Sequence, residues 1–334
     1  MTSPLRRLLV PIAVLGGLSA CSSGSRSAAT GASPTPTPEA SATPGGTATG
    51  TPTPTDHVTI GGGQVSRLNF AIVGDTRPAV PDDTGAYPTA IITKIWQDVE
   101  AEAQRPPFAV TTGDYVFADP FLNEAPKQLD LFLGARAGYS GTVFYALGNH
   151  ECNSLTQSNC GPGTISGVTK NYQAFLDKMM TPLGQTTPYY YVKIDAFDGS
   201  WTSKFVFVAP NAWHDDQKAW LETVMSIPTT YTFVVRHEDV DATTAPGVPE
   251  SNAILAAHPY TLLLAGHVHT FRWTPSKKQV ITGNGGAPLN TGVNYGYTVI
   301  RQLEDGTLTG ENYDYESHAV IGSFHVDRDG AEVN

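Results

Sequence analysis

Three short polar segments of the chain contain residue types that bind metal ions. They are Gly113-Asp114, Gly148-Asn149-His150-Glu151 and Gly266-His267-Val268-His269. Side chains alternate in direction along an extended strand, so the two imidazoles of the last segment point to the same side. Two neutral imidazoles placed in this way can serve two adjacent metal ions. The combination predicts metal-assisted hydrolysis.

Hydrophobic runs that are typical of strands end at each of these segments. Strands are predicted at residues 67–74, 108–112, 142–147, 189–194, 204–209, 231–236 and 261–265, and helices at residues 90–103, 128–136, 171–179 and 216–221. This alternation predicts an α/β fold, in which ligands bind at the carboxyl ends of the strands. Residues 279–326 are predicted to be strand-rich and without a clear helix, which indicates a second sheet closing a sandwich rather than a second domain.

The polar residues at the predicted strand ends follow one another in a distinctive order. Along the chain they are Asp75, Asp114, Asn149 with His150, His237, and His267 with His269. This order of motifs, over residues 68–284, resembles the calcineurin-like metallophosphoesterase superfamily, including its purple acid phosphatase relatives. The resemblance implies a four-layer α/β sandwich, in which two mixed β-sheets pack together and are flanked by helices.

The resemblance also implies a role for each of these residues. Asp114 would bridge two divalent metal ions, with Asp75 and His269 completing a first metal site. The second metal site would consist of Asp114 with three further ligands, Asn149, His237 and His267. His150 would face the substrate, stabilise the developing charge and protonate the leaving oxygen. The mixed oxygen and nitrogen ligands suit Mn, Fe or Zn, and Mg less well.

The chain departs from the superfamily pattern at the first metal site. The superfamily has a histidine two residues after the first aspartate, whereas this chain has Arg77, which cannot bind a metal. Purple acid phosphatases compensate with a tyrosine three residues after the second aspartate, and that position here is Phe117. Tyr115, Asp119 or a water could complete the site. Alternatively, the first metal is weakly held and Arg77 grips phosphate through charge-assisted hydrogen bonds.

These observations support two functions. The first is an exported phosphoesterase that acts on a small-molecule or macromolecular phosphoester through a hydroxide shared by two metals. The second is a catalytically weak one-metal or Arg-assisted module that binds phosphate or phosphoesters. The presence of His150 beside Asn149 favours the enzyme, because a purely binding module has no need of a substrate-facing histidine.

The amino-terminal segment has the pattern of an export signal. Arg6 and Arg7 precede an apolar run and then Ser19-Ala20-Cys21, which resembles a bacterial lipobox. Residues 1–20 are therefore predicted to be a lipoprotein signal peptide. Residues 21–56 are predicted to be a lipid-anchor cysteine and a disordered Pro/Thr/Ser/Gly linker, and residues 57–334 the metallophosphoesterase domain. We expect an extracytoplasmic protein of the cell envelope, attached to a membrane through lipidated Cys21.

Charge and cysteine content constrain the partners. The formal net charge is −11, which argues against a surface that tracks the nucleic-acid backbone. The remaining cysteines, Cys152 and Cys160, are expected to form a disulfide in an oxidising compartment, with a metal pair as the competing interpretation.

Overall fold

The computed structural model describes residues 55–243 and 245–333. The predicted signal peptide, Cys21 and all but the end of the predicted linker lie outside these residues. Within the described part of the chain, no helix combines the length and the apolar character needed to cross a membrane.

Two mixed β-sheets form the centre of the domain. Their strands are β1 (His57–Thr59), β2 (Gly62–Val65), β3 (Asn69–Val73), β4 (Phe108–Thr111), β5 (Thr142–Tyr145), β6 (Tyr190–Ala196), β7 (Ser203–Phe207), β8 (Tyr231–Val235), β9 (Leu262–Ala265), β10 (Phe271–Thr274), β11 (Gln279–Thr282), β12 (Gly296–Gln302), β13 (Leu308–Asp314) and β14 (Val320–Val326). One sheet has the order β14-β13-β12-β3-β4-β5, and the other β1-β2-β6-β7-β8-β9-β11-β10. Strands β3, β4 and β5 are mutually parallel, as are β7, β8, β9 and β11.

Helices flank the two sheets. They are α1 (Thr89–Ala101), α2 (Ala125–Ala135), α3 (Lys170–Phe175), α4 (Asp215–Met225) and α5 (Val248–Ala257). Helix α1 buries Ile92, Ile95, Trp96 and Val99, the face that its apolar spacing predicts. Helix α3 continues through a π-helical turn and a short 3₁₀ turn to Leu183. The α/β sandwich of two mixed sheets with flanking helices is confirmed.

Successive side chains of the central strands point to opposite faces of their sheet. One set packs between the two sheets, and the other packs against the helices. Phe205 and Phe233 pack against Phe70 of the opposite sheet, with ring centroids 5.0 and 5.1 Å from it. The intervening Val206 and Val234 belong instead to a separate apolar cluster with residues of α4 and α5. Both faces of these parallel strands are therefore buried, which explains their continuous hydrophobic runs.

The interpretation of residues 279–326 as a second sheet was wrong. Strand β11 pairs in parallel with β9, whereas β12 pairs antiparallel with β3 and extends the sheet that begins the fold. The segment is strand-rich as predicted, but its strands are divided between the two sheets. Strand propensity does not encode this pairing, because it depends on contacts distant in sequence. Helix α5 was also missed, since it begins at Val248-Pro249 within a segment rich in Gly, Pro and Thr.

Candidate metal centre

Five loops at the carboxyl ends of parallel strands meet at one edge of the sandwich. The loops after β3, β4 and β5 carry Asp75, Asp114 and Asn149-His150. The loops after β8 and β9, from the other sheet, carry His237 and the His267/His269 pair. The structure thus brings all of the predicted ligands together, from both sheets.

Three of these residues have an unusual backbone conformation. The φ angles of Asp75, Asp114 and His267 are 55°, 59° and 66°, in the left-handed region that side chains other than glycine seldom adopt. The adjacent Gly266 is needed for close packing, because a Cβ there would overlap Oδ2 of Asp75. Such strained residues concentrate at functional sites, where the surrounding structure maintains them.

The predicted first metal site is compact. One ligand atom from each of Asp75, Asp114 and His269 lies within 4.8 Å of the others. His269 Nε2 is 3.5 Å from Oδ1 of Asp75. The opposite ring nitrogen, Nδ1, is 2.5 Å from the carbonyl oxygen of Pro288, to which it donates a hydrogen bond. This bond fixes the tautomer, so the Nε2 lone pair faces the carboxylates, as in histidines that bind metals.

The predicted second metal site lies beside the first. Asn149 Oδ1 is 3.1 Å from both His237 Nε2 and His267 Nδ1, and these two nitrogens are 3.2 Å apart. His237 Nδ1 donates to the carbonyl oxygen of Thr112 at 2.8 Å, which directs Nε2 into the site. Asp114 Oδ1 lies 3.2 Å from the same Nε2. Asp114 is therefore adjacent to both groups of ligands, the position that a bridging carboxylate requires.

Burial and mutual charge shift the pKa values of these groups strongly. Burial, with repulsion from Asp114, raises the pKa of Asp75 well above its usual range. Burial opposes ionisation of Asp114 and His237 as well, but their mutual attraction lowers the pKa of Asp114 and raises that of His237. Burial and repulsion from His237 lower the pKa of His267 to about 4, and burial also lowers that of His269. His267 and His269 are thus favoured in the neutral form, which keeps the ring lone pair that a metal ligand needs.

This donor set fits two divalent cations. Buried carboxylates, an amide oxygen and imidazoles with oriented lone pairs are the ligand types of Mn, Fe and Zn sites. The residues that would hold the cations are Asp75, Asp114 and His269 at one site, and Asp114, Asn149, His237 and His267 at the other.

His150 and Arg77 lie beside Asp114. His150 Nε2 is 3.8 Å and Arg77 Nε is 3.5 Å from Asp114 Oδ2. The pKa of His150 is lowered to about 3, because burial and repulsion from Arg77 outweigh the attraction of Asp114. The rings of His150 and Phe117 pack edge to face at a centroid distance of 4.5 Å. The imidazole is therefore neutral at pH 7 and can donate one hydrogen bond.

Arg77 and Phe117, the two residues at which the chain departs from the superfamily pattern, contact each other. The guanidinium carbon of Arg77 lies 4.9 Å from the ring centroid of Phe117, within cation–π range. A permanent cation on an aromatic face therefore occupies the region in which a metal ligand was expected. Arg77 Nε is buried and makes no hydrogen bond to any residue that the structure describes.

Two of the residues proposed to complete the first site are engaged elsewhere. The hydroxyl of Tyr115 bonds Thr111 Oγ1 at 2.5 Å and the carbonyl oxygen of Ala146 at 2.9 Å, so it faces the core. Asp119 Oδ1 accepts a hydrogen bond from the backbone of Phe121 at 2.8 Å. Asp119 belongs to no candidate metal-binding group of the described chain.

Glu151 organises the centre, a role that the sequence analysis did not assign. Its Oε2 accepts from the backbone N–H groups of Asp114 and Gly148 at 2.8 and 2.9 Å. Its Oε1 accepts from Tyr115 and Val116 at 2.7 and 3.0 Å. One buried carboxylate thus ties the loop after β4 to the loop after β5. In the sequence, the feature that could have indicated this role is the position of Glu151 directly after His150 in the motif.

Glu151→Gln is expected to lower the free energy of unfolding by about 3 kcal/mol, because the amide NH₂ would face two backbone donors in place of an acceptor. Urea denaturation measures this change, with Glu222→Gln, at an exposed position of α4, as the control. An unchanged midpoint and slope would contradict the role of Glu151 as a clamp.

Two further segments lie next to the centre. The loop at Asn284-Gly285 packs against the backbone that precedes Asp75, since Gly285 N donates to the carbonyl oxygen of Gly74 at 2.8 Å. Glu238, next to His237, is buried, and burial raises its pKa to about 7. One of its carboxylate oxygens lies within 4.8 Å of ligand atoms of His237 and His267.

Comparison with known proteins identifies related sequences and folds. Residues 68–271 match the family model described as calcineurin-like phosphoesterase. A sequence comparison with curated proteins gives no significant match.

Solved structures share the fold, among them the following three. A purple acid phosphatase, PPD1 from yellow lupin (Lupinus luteus) seeds, has a TM-score of 0.55 at 16% identity, covering 79% of this chain and 54% of that one. This chain therefore spans about half of the lupin protein. GAP50, the anchor in the inner membrane complex of Plasmodium, has a TM-score of 0.54 at 14% identity and coverages of 79% and 90%. A dimetal phosphatase from Danio rerio has a TM-score of 0.52 at 13% identity and coverages of 78% and 99%.

Proposed function

Because the chain belongs to the calcineurin-like phosphoesterase family, we propose that it hydrolyses phosphate esters with two divalent metal ions. The observation that carries this proposal is the position of Asp114. Its carboxylate shares one candidate metal-binding group with Asp75 and His269, and it lies 3.2 Å from His237 of the other. A dinuclear centre requires a carboxylate that lies between the two groups of ligands, where it can bind both metal ions.

Arg77 and His150 would assist the reaction at the two metal ions. When bound, the two cations would lower the pKa of water and offset the negative charge of the phosphate. Arg77, whose Nε lies 3.5 Å from Asp114 Oδ2, would hold a phosphate oxygen by charge-assisted hydrogen bonds. His150 would donate a hydrogen bond to the leaving oxygen and stabilise its charge.

Metal analysis combined with a substrate panel tests this function. We expect protein purified without added metal to contain Mn, Fe or Zn, and to hydrolyse p-nitrophenyl phosphate or bis-p-nitrophenyl phosphate. Chelation should abolish the activity and metal addition should restore it. Protein that binds two metals yet hydrolyses no phosphomonoester or diester would contradict the proposal.

The contact between Arg77 and Phe117 favours a second candidate, an Arg-assisted phosphate- or phosphoester-binding module with one metal. In this case the first metal site would lack a fourth protein ligand and remain weak. GAP50, which is described as an anchor, shares the fold. Tight phosphate binding with one metal equivalent and negligible turnover would support this function over hydrolysis.

Substitutions of Arg77 distinguish its possible roles. Arg77→Ala is expected to weaken inorganic phosphate binding by about 10-fold or more, because charge-assisted hydrogen bonds are lost. Metal content should stay the same. Arg77→His should add a nitrogen ligand and raise occupancy of the first metal site in metal-poor buffer. Calorimetry with phosphate and metal analysis measure these effects. If phosphate affinity in Arg77→Ala and metal affinity in Arg77→His were both unchanged, Arg77 would be structural.

We also propose that the enzyme is exported and anchored through Cys21, on the basis of the lipobox-like sequence. Cys21→Ala should move the protein from membranes to the soluble fraction without changing the specific activity of the domain. Cell fractionation with activity assays tests this. Persistent membrane association would indicate a different anchor.

A further inference from the structure

Glu238 is a buried acidic residue that is not among the ligands of the two proposed metal sites. It directly follows His237 in the loop after β8, and it is 1% exposed. A carboxylate oxygen of Glu238 and one ring nitrogen from each of His237 and His267 all lie within 4.8 Å of one another. Two residues of the second metal site are therefore its immediate neighbours.

The two oxygens of this carboxylate have different surroundings. Oε1 accepts a hydrogen bond from Asn211 Nδ2. Oε2 is buried and has no hydrogen-bond partner within residues 55–243 and 245–333. A buried polar atom left without a partner costs about 1–3 kcal/mol, and more when it is charged. A cation that met this free oxygen would offset that cost.

The nearby arginine does not supply this cation. The Arg236 side chain donates from Nε to the backbone carbonyl oxygen of Glu238, at 2.8 Å. Its terminal nitrogens donate to Ser251 Oγ and Asn252 Oδ1, each at 2.8 Å. These bonds turn the guanidinium toward α5 and away from the carboxylate.

Asn211 is itself held in place. It lies in the 3₁₀ turn Pro210–Ala212 that follows β7. Its carbonyl oxygen accepts a hydrogen bond from the backbone N–H of Cys160 at 2.8 Å, and Cys160 forms the predicted disulfide with Cys152. The disulfide-linked loop therefore fixes Asn211, and Asn211 in turn fixes one oxygen of Glu238 and leaves the other free.

We propose that Glu238 is a further carboxylate ligand of the second metal site, in addition to Asp114, Asn149, His237 and His267. This inference rests on the proposed function. Glu238 adds negative charge to the second site, whereas Arg77 adds positive charge beside the first. The second site therefore binds its metal more tightly than the first. The additional oxygen ligand also favours Mn²⁺ relative to Zn²⁺, which prefers four ligands and more nitrogen.

Titration of the full-length, chelator-treated protein with Mn²⁺ tests the proposal. Glu238→Gln retains a carbonyl oxygen for Asn211 and presents an NH₂ group that cannot bind a metal. We expect the tighter Mn²⁺ dissociation constant, measured by calorimetry, to rise by at least about 10-fold, because even groups that only support a metal ligand contribute about 10- to 100-fold. The rise should be larger for Mn²⁺ than for Zn²⁺.

Asp239→Asn is the matched control. Asp239 is the next residue and also a buried carboxylate, but its Oδ1 accepts a hydrogen bond from the backbone of Asp241. Both Mn²⁺ dissociation constants should change far less in this variant than the tighter constant does in Glu238→Gln. If Glu238→Gln does not fold, as judged by circular dichroism, Glu238→Asp replaces it, because the shorter side chain should also weaken Mn²⁺ binding.

The outcomes separate this inference from the proposed function. Wild-type protein that binds two Mn²⁺ ions and hydrolyses phosphoesters, with equally tight binding in the Glu238 variant, overturns the role of Glu238 alone. Wild-type protein that hydrolyses no phosphoester, but whose Mn²⁺ binding weakens in Glu238→Gln, overturns the proposed function and retains the ligand.

Discussion

Asp114→Asn is expected to lower kcat/KM on the order of 10³-fold or more and to reduce metal content below that of the wild type. The bridging position requires a negative charge that two cations share, and an amide does not provide it. The substitution is otherwise conservative. Asparagine tolerates the left-handed backbone of residue 114, and its carbonyl oxygen can still accept the hydrogen bond from the backbone of His150.

Two measurements are needed for this variant: metal content by elemental analysis and turnover of a phosphate ester. Asp119→Asn is a suitable control, because this carboxylate lies on the same loop but outside both candidate groups. The control should retain its metals and its turnover. Retention of both metals with near-normal turnover in Asp114→Asn would remove Asp114 from the bridging role.

The sequence predicted the parts of the structure that depend on local pattern. The hydrophobic run of β3 and the apolar spacing of α1 were sufficient to locate both elements. Because the ligand motifs each follow a strand, and because parallel strands end at one edge, their convergence followed from the element order. The pairing of β12 with β3 was not predictable in this way, since it joins residues about 230 positions apart.

The contacts of individual side chains were also outside the reach of sequence patterns. Glu151 and Glu238 each follow a recognised site residue, yet adjacency along the chain does not reveal which atoms they meet. The four backbone donors around Glu151 exist only after the loops have converged. Similarly, Arg77 and Phe117 were recognised as separate departures from the superfamily pattern. Their mutual contact shows that they form one feature, which a linear comparison cannot indicate.

His150→Ala is expected to lower kcat by about 10²–10⁴-fold, the usual range for loss of a group that donates to the leaving oxygen. Metal content should not change. Hydrogen bonds of the backbone of residue 150, not of its ring, hold this loop: its N–H donates to Asp114 Oδ1 at 3.1 Å, and its carbonyl oxygen accepts from Asn171 Nδ2 at 3.1 Å. Removal of the ring therefore leaves the loop in place.

The dependence of this loss on the leaving group identifies what His150 does. If the ring donates to the leaving oxygen, the loss is larger for an alkyl phosphate, whose leaving oxygen is strongly basic, than for p-nitrophenyl phosphate. His214→Ala is the control, because that ring packs on Tyr189, outside the centre, and should have no effect on turnover. An equal loss for both substrates would place His150 on a non-bridging phosphate oxygen instead. Loss of metal together with activity would show that His150 is a ligand, contrary to the assignment made here.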